Sequence, residues 1–282
     1  MAHRTAEERT TMDNRPIGVF DSGVGGLTAM RQLIRLLPGE RFVYFGDTGR
    51  VPYGGRSTET LIQYARQDVV FLRSFDPKAI VVACGTVSTV ALSLLAEELP
   101  LPILGVVEPA ARAAAERTKN GRVGVVGTKA TIRSGAYERA IRGLTPGIEI
   151  VSRACPLLVP LVENGRVRPG DPVTEQVVAE YFAPLRAACV DTLVLGCTHY
   201  PLLSELIGAY MGAGVQLIDT ARECASALMK LLQAQDLLAE TGAQGEQRYY
   251  VSDSPEDFAE LAEVFLGRAV AGQVERIAIE RY

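Results

Sequence analysis

Histidine is scarce in this 282-residue chain, which holds only His3 and His199 against five cysteines at positions 84, 155, 189, 197 and 224. The cysteine count is odd and no Cys-x-x-Cys pair occurs, so neither a disulfide framework nor a zinc site is expected. Positive charge is also short. Lys plus Arg number 29 and Asp plus Glu 33, a net charge of −4, which leaves no basic field to hold nucleic acid or an anionic membrane surface. The opening MAHRTAEERTTMDNRP is charged and lacks the apolar stretch of a secretory signal, so a reducing cytoplasm is the expected compartment. Residues 79–96 carry no charge and match a marginal transmembrane span in length. Gly85, Thr86, Ser88, Thr89 and Ser93 within that run instead suit a buried strand leading into a packed helix.

What is present is globular: 48% hydrophobic and 22% charged residues, with 27 Gly and 15 Pro. At roughly 150 residues per domain the length predicts two domains. Short β-branched apolar runs at 17–20, 42–45, 79–83, 103–107, 123–126, 148–151, 192–195 and 215–218 read as strands. Their lack of alternation suits parallel strands covered by helices on both faces. Between them, 27–37, 58–75, 87–98, 110–118, 132–141, 174–188 and 223–238 have helical composition and apolar spacing near 3.6. The fold class is α/β. Beyond about Ala221 the chain reads as largely helical and able to return onto the first unit.

The chain echoes itself. IGVFDSG from Ile17 is answered by VGVVGTK from Val123, 106 residues on, and VACGT around Cys84 by LGCT around Cys197, 113 residues on. The similar offsets predict two similar parallel-sheet α/β domains related by pseudo-symmetry, 16–104 plus 221–282 and 105–220, with a site between them. Each domain then contributes one cysteine from a corresponding strand end.

Cys84 and Cys197 each end an apolar strand before an expected helix, where the helix dipole and free N–H groups favour a thiolate. One such cysteine would more often just fill space. Two at equivalent strand ends point to bases or nucleophiles. Cys155, Cys189 and Cys224 lack that context and read as packing residues. His199, two residues beyond Cys197, suits proton relay or charge stabilisation. The loop Asp21-Ser-Gly-Val-Gly-Gly26 is neither GxGxxG nor a P-loop. Its leading carboxylate would repel phosphate and suits an ammonium, while Ser22 and nearby N–H groups could hold a carboxylate. The alternative for Asp21 is an N-cap before a glycine turn. A second loop, GDTGRVPYGG at 46–55, is long for a βα connection and rich in donors. Two thiols from two domains suit the inversion of a stereocentre bearing an acidic hydrogen: one removes the proton from one face and the other returns a proton to the opposite face. No metal-ligand cluster or pyridoxal phosphate cradle is evident.

Six motifs stand in order: IGVFDSGVGGLT at 17–28, YFGDTGRVPYG at 44–54, VVACGT at 81–86, VGVVGTKATI at 123–132, CPLLVPLVENG at 155–165 and LGCTHYPLL at 195–203. At these residues the chain resembles the glutamate racemases of the cofactor-independent aspartate/glutamate racemase superfamily, over nearly its whole length from Ile17. The resemblance implies interconversion of L- and D-glutamate for peptidoglycan without a cofactor, in an enzyme often found as a homodimer. It implies Cys84 and Cys197 as the acid/base pair, with Asp21 assisting the first and Glu163 and His199 the second. Substrate contacts carried over by motif are Asp21, Ser22, Tyr53, Gly54, Gly85, Thr86, Thr128, Thr198 and His199. Glu163 by itself reads as an ordinary surface or loop carboxylate. One position departs: the family usually has Asn after the first cysteine, where this chain has Gly85. That exchanges a side-chain donor for a backbone N–H open to close approach. Related aspartate racemases typically carry Glu at the position of His199, which favours glutamate. Rival readings are a racemase for another acidic amino acid, a non-catalytic ligand-binding regulator, and a Cys–His hydrolase that would leave Cys84 without a task.

Overall fold

The computed structural model describes residues 13–239, 244–270 and 272–282. His3 and the N-terminal stretch to residue 12 lie outside them. In chain order the strands are β1 Ile17–Asp21, β2 Phe42–Gly46, β3 Ala79–Val82, β4 Ile103–Gly105, β5 Arg122–Gly127, β6 Glu149–Ala154, β7 Thr192–Leu195, β8 Gln216–Asp219, β9 Gln247–Val251 and β10 Val274–Arg276. The first helices are α1 Leu27–Leu36, α2 Thr58–Arg73, α3 Gly85–Val90, α4 Leu92–Glu98, α5 Val107–Arg117 and α6 Lys129–Ser134. They are followed by α7 Ala136–Leu144, α8 Leu158–Glu163, α9 Pro172–Ala187, α10 Ser204–Met211, α11 Thr220–Ala234 and α12 Pro255–Leu266.

Two sheets form, ordered β10-β9-β2-β1-β3-β4 and β6-β5-β7-β8, and every pairing in both is parallel. The eight apolar runs are all strands. β1, β2, β3 and β7 are buried along their whole length, as strands covered on both faces must be. The internal echo has a topological counterpart. β2-β1-β3-β4 and β6-β5-β7-β8 have the same winding order, so the end of β3, where Cys84 sits, corresponds to the end of β7, where Cys197 follows. Helices start where short polar side chains hold the free N–H groups: Ser57 caps α2, Asp171 α9, Asp219 α11 and Ser254 α12.

The segment beyond Ala221 is helical in α11 and α12, as expected, but it also contains strands that the expectation lacked. After α11 it supplies β9, which pairs with β2, and β10, which extends that edge. β10 has only three residues, two of them exposed, so it carries no hydrophobic signature to read. Two expected helices are divided. That at 87–98 breaks at Ala91 (φ −118°) after a β-branched, hydroxyl-rich turn in which Ser88 Oγ donates to Val82 O at 3.0 Å. That at 132–141 breaks at Gly135, whose φ of +61° ends α6 and starts α7. The strand expected to reach 107 stops at Gly105, because Val106 already has helical angles. The charge-free stretch 79–96 is β3, α3 and α4. Among the described residues no helix is long and apolar enough to cross a membrane. α11 packs against both α1 and α5 and so joins the elements around the two sheets.

Candidate active site

The carboxyl ends of β1, β3, β5 and β7 face one cavity of about 690 Å³, the position at which parallel α/β sheets hold ligands. All twelve residues singled out from the sequence line it: Asp21, Ser22, Tyr53, Gly54, Cys84, Gly85, Thr86, Thr128, Glu163, Cys197, Thr198 and His199. Residues 177 positions apart in the chain, Asp21 and Thr198, thus share one wall system through strand order alone.

On one side, Asp21 ends β1 and is buried with 1% exposure. Its Oδ2 accepts the Gly23 N–H at 3.1 Å, while its Oδ1 is buried and has no hydrogen-bond partner among the described residues. Asp21 therefore does not cap α1, whose N-cap is Gly26. Burial raises the Asp21 pKa against the opposing pull of the His199 charge. The Cys84 thiol donates to Ser22 Oγ at 3.5 Å. It stands at the N-cap of α3, but its pKa is pushed up to about 12, first by burial and then by the Asp21 charge. The expected thiolate at this strand end is thus corrected to a neutral thiol: desolvation and a neighbouring carboxylate outweigh one short turn of helix.

The opposite side is electrically different. Cys197 is followed by a turn and the 3-10 helix Tyr200–Leu203 rather than directly by an α-helix. Its partner is His199, whose Nδ1 lies 3.9 Å from Cys197 Sγ and whose Nε2 donates to Glu163 Oε1 at 2.9 Å. Burial pulls the His199 pKa down, yet the hydrogen bonds and charges of Cys197 and Glu163 hold it up at about 10. An imidazolium therefore faces Cys197 at neutral pH. Glu163 is the last residue of α8, and the Phe265 ring meets the imidazole edge-on with centroids 5.0 Å apart.

Hydroxyl groups bridge the two sides. Thr86 Oγ1 and Thr128 Oγ1 are 3.1 Å apart, Thr128 Oγ1 is 3.0 Å from Thr131 Oγ1, and Thr28 Oγ1 donates to Thr198 O at 3.0 Å. The glycine loop after β1 comes equally close: a Cβ on Gly25 would lie 2.2 Å from Thr198 Oγ1. The loop at 46–55 turns Asp47 and Tyr53 inward while Gly49, Val51, Pro52 and Gly55 stay exposed. Tyr53 is buried, its hydroxyl donates to Asp47, and Arg50 ties Asp47 to Asp68 at 2.5 and 2.9 Å. Burial, with the charges of Asp68 and Asp47, drives the Tyr53 pKa far up, so its hydroxyl stays protonated.

Nothing in the sequence pattern points to α12 as a wall, yet Ser254, Asp257, Phe258 and Leu261 line the cavity. They arrive only because β9 carries the chain back beside β2. Of the remaining cysteines, Cys155 and Cys224 are buried, whereas Cys189 is exposed just past α9 at a φ of +54°, not packed as expected. Among the described residues, no group of three or more His, Cys, Asp or Glu could hold a metal ion.

Two parallel α/β sheets facing a shared cleft define a class, and the family model described as Asp/Glu/Hydantoin racemase matches residues 51–228. The chain belongs to the Asp/Glu/Hydantoin racemase family and is an amino-acid racemase, an isomerase. Within that family it is similar to the glutamate racemase of Geobacter metallireducens, 48% identical over 266 residues covering 94% of this chain and 97% of that protein. It is similar also to the crystal structure of a glutamate racemase isoform from Bacillus anthracis, with TM-score 0.89 and 41% identity over 94% of this chain and 98% of the other. The Francisella tularensis glutamate racemase, solved in complex with D-glutamate, gives TM-score 0.88 and 37% identity over 96% of this chain and all of that one.

Proposed function

We propose that the protein interconverts L- and D-glutamate by two-base proton transfer between Cys84 and Cys197, across a cleft between a unit of residues 16–104 with 221–282 and a unit of 105–220. The observation that carries this reading is the presence of two thiols, on topologically equivalent strand ends, in the wall of one cavity. The unpartnered Asp21 Oδ1 supports an ammonium nearby, and the Francisella tularensis relative binds D-glutamate in a chain of the same fold.

The two sides differ in the groups that surround each sulfur. Cys84 is a neutral thiol and therefore the acid. Cys197, with His199 Nδ1 3.9 Å from its sulfur, is the base for the enantiomer whose Cα–H faces it. Proton removal from the enantiomer whose Cα–H faces Cys197 leaves a carbanion, and the Cys84 thiol protonates the other face. In the reverse direction the roles exchange: Cys84, its proton passed to the Asp21 carboxylate, removes the α-proton, and Cys197, supplied with a proton through His199, protonates the opposite face. Backbone N–H groups of Gly85 and Gly54 and the hydroxyls of Ser22, Thr86, Thr128 and Thr198 are the donors for the substrate carboxylates. The charge that develops on deprotonation requires such preorganised donors, because an amino-acid α-hydrogen is far less acidic than a thiol. The same reading makes the protein a cytoplasmic homodimer that supplies D-glutamate for peptidoglycan.

Incubation with L-glutamate in deuterium oxide tests the mechanism. The expected product is D-glutamate carrying deuterium at Cα. Unlabelled D-glutamate, or normal turnover by Cys84→Ser or Cys197→Ser, would refute the two-base assignment.

A further inference from the structure

One close approach across the cleft is between chain neighbours of the two thiols. Gly85 follows Cys84, and Gly196 precedes Cys197. A Cβ on Gly85 would lie 2.6 Å from the Gly196 carbonyl oxygen, with Gly196 C at 3.5 Å and Thr131 Oγ1 at 3.8 Å as its next neighbours. No flexible side-chain end stands at the closest point, so only backbone movement could relieve the contact.

Both partners are anchored in their own sheets. The Gly196 N–H donates to Val126 O at 2.7 Å, which ties this peptide to β5. A Cβ on Gly196 would itself meet Val126 O at 2.7 Å. On the facing side, the Ser88 N–H donates to Cys84 O at 2.9 Å and the Ser88 hydroxyl to Val82 O at 3.0 Å, which fixes the start of α3 to the end of β3. The contact is thus one held backbone against another, one residue from each sulfur.

We infer that the Gly85–Gly196 contact is a spacer that sets the separation of Cys84 and Cys197, so that Gly85 is a positioning residue for proton transfer. The inference rests on the two-thiol reading above. It gives the departure at position 85 a physical meaning. The family's usual Asn brings a side-chain donor but also a Cβ, and this backbone has no room for the Cβ. Here the side-chain donor is absent and the two strand ends meet backbone to backbone.

Gly85→Ala in the full-length protein tests it. Restoring an ordinary contact of 3.4 Å requires the loops to separate by roughly 0.8 Å, and a misplacement of about 1 Å can cost on the order of 10²-fold in rate. The expected result is a kcat lower by about 10- to 100-fold, with KM changed less than about threefold. In deuterium oxide, recovered L-glutamate should also gain deuterium relative to product formed. A thiol that has taken the α-proton and exchanged it with solvent returns a deuteron to the same face when the opposite thiol is too far away. Gly85→Asn should lower kcat as Ala does. Gly143→Ala, where a Cβ meets nothing within 4 Å, should leave the activity unchanged.

The ratio of exchange to inversion is measured within one sample and does not depend on the folded fraction, so a poorly folding variant still reports. Wild-type kcat and ratio in Gly85→Ala, or a kcat above wild type in Gly85→Asn, would overturn the spacer. Failure of the unsubstituted protein to racemise glutamate would instead overturn the functional reading beneath it.

Discussion

Replacing Glu163 by Gln removes one charge from the side of the site that holds Cys197, and its effect can be worked out from the geometry. The Glu163 carboxylate lies 2.9 Å from His199 Nε2 and is one of two groups that keep the imidazole protonated up to about 10. Two unit charges about 4 Å apart interact by about 4 kcal/mol at an effective dielectric constant near 20. The Glu163 side chain is 40% exposed, however, and solvent screening brings such a pair down to about 1 kcal/mol. At 1.36 kcal/mol per pH unit, Glu163→Gln should lower the His199 midpoint from about 10 to roughly 9. The assay is NMR of the histidine ring carbons over a pH series, which is simple because the chain has only two histidines. In the unsubstituted protein the His199 signal should stay in its protonated position through neutral pH. The basic limb of the racemisation rate should move down with the His199 midpoint in the variant, because activity is lost as the imidazolium deprotonates. A wild-type His199 that titrates near 6.5, or a midpoint unmoved by Glu163→Gln, would refute the reasoning. The sign for stability follows from the same raised value: the contribution of His199 is fully present below pH 6.5 and is lost as pH rises through about 10.

The hydroxyl bridge across the cleft gives a second expectation. A double-mutant cycle of Thr86→Val and Thr128→Val should return a coupling of about 1 kcal/mol in denaturant unfolding, with KM for glutamate raised in each single variant. A third concerns Lys78, which is buried, ion-paired with Glu40 Oε2 and donating to Asp13 O and Leu237 O, each at 2.6 Å. Lys78→Met should destabilise by about 3 to 5 kcal/mol in the same assay, since Glu40 is left buried and uncompensated, and the double variant Lys78→Met/Glu40→Leu should recover much of that loss.

Much of the architecture is legible because parallel sheets buried on both faces leave a simple signature. Residues 17–20, 42–45 and 193–195 are unbroken apolar runs, and each lies in a strand of a parallel sheet. β9 and β10 are harder to read. Gln247–Val251 begins with two polar residues and Val274–Arg276 is an exposed edge, so neither carries the hydrophobic pattern that marks the other eight. The divided helices follow the same logic: apolar spacing passes smoothly through Ala91 and Gly135, whereas the backbone angles there do not.

For the site, the sequence by itself determined the chemical inventory: two strand-end thiols in repeated surroundings, a carboxylate at the head of a glycine loop, one histidine beside the second thiol. Those are local facts, carried by residue type and spacing. Only the tertiary structure decided what each group does electrically, because a pKa depends on what surrounds the group in space. Both cysteines share one local grammar. Burial and Asp21 make Cys84 a neutral thiol, while Glu163, brought from α8, holds an imidazolium against Cys197. The closeness of Gly85 to Gly196 belongs to the same category. It is a contact between residues 111 positions apart, and no pattern along the chain encodes a separation measured in tenths of an ångström.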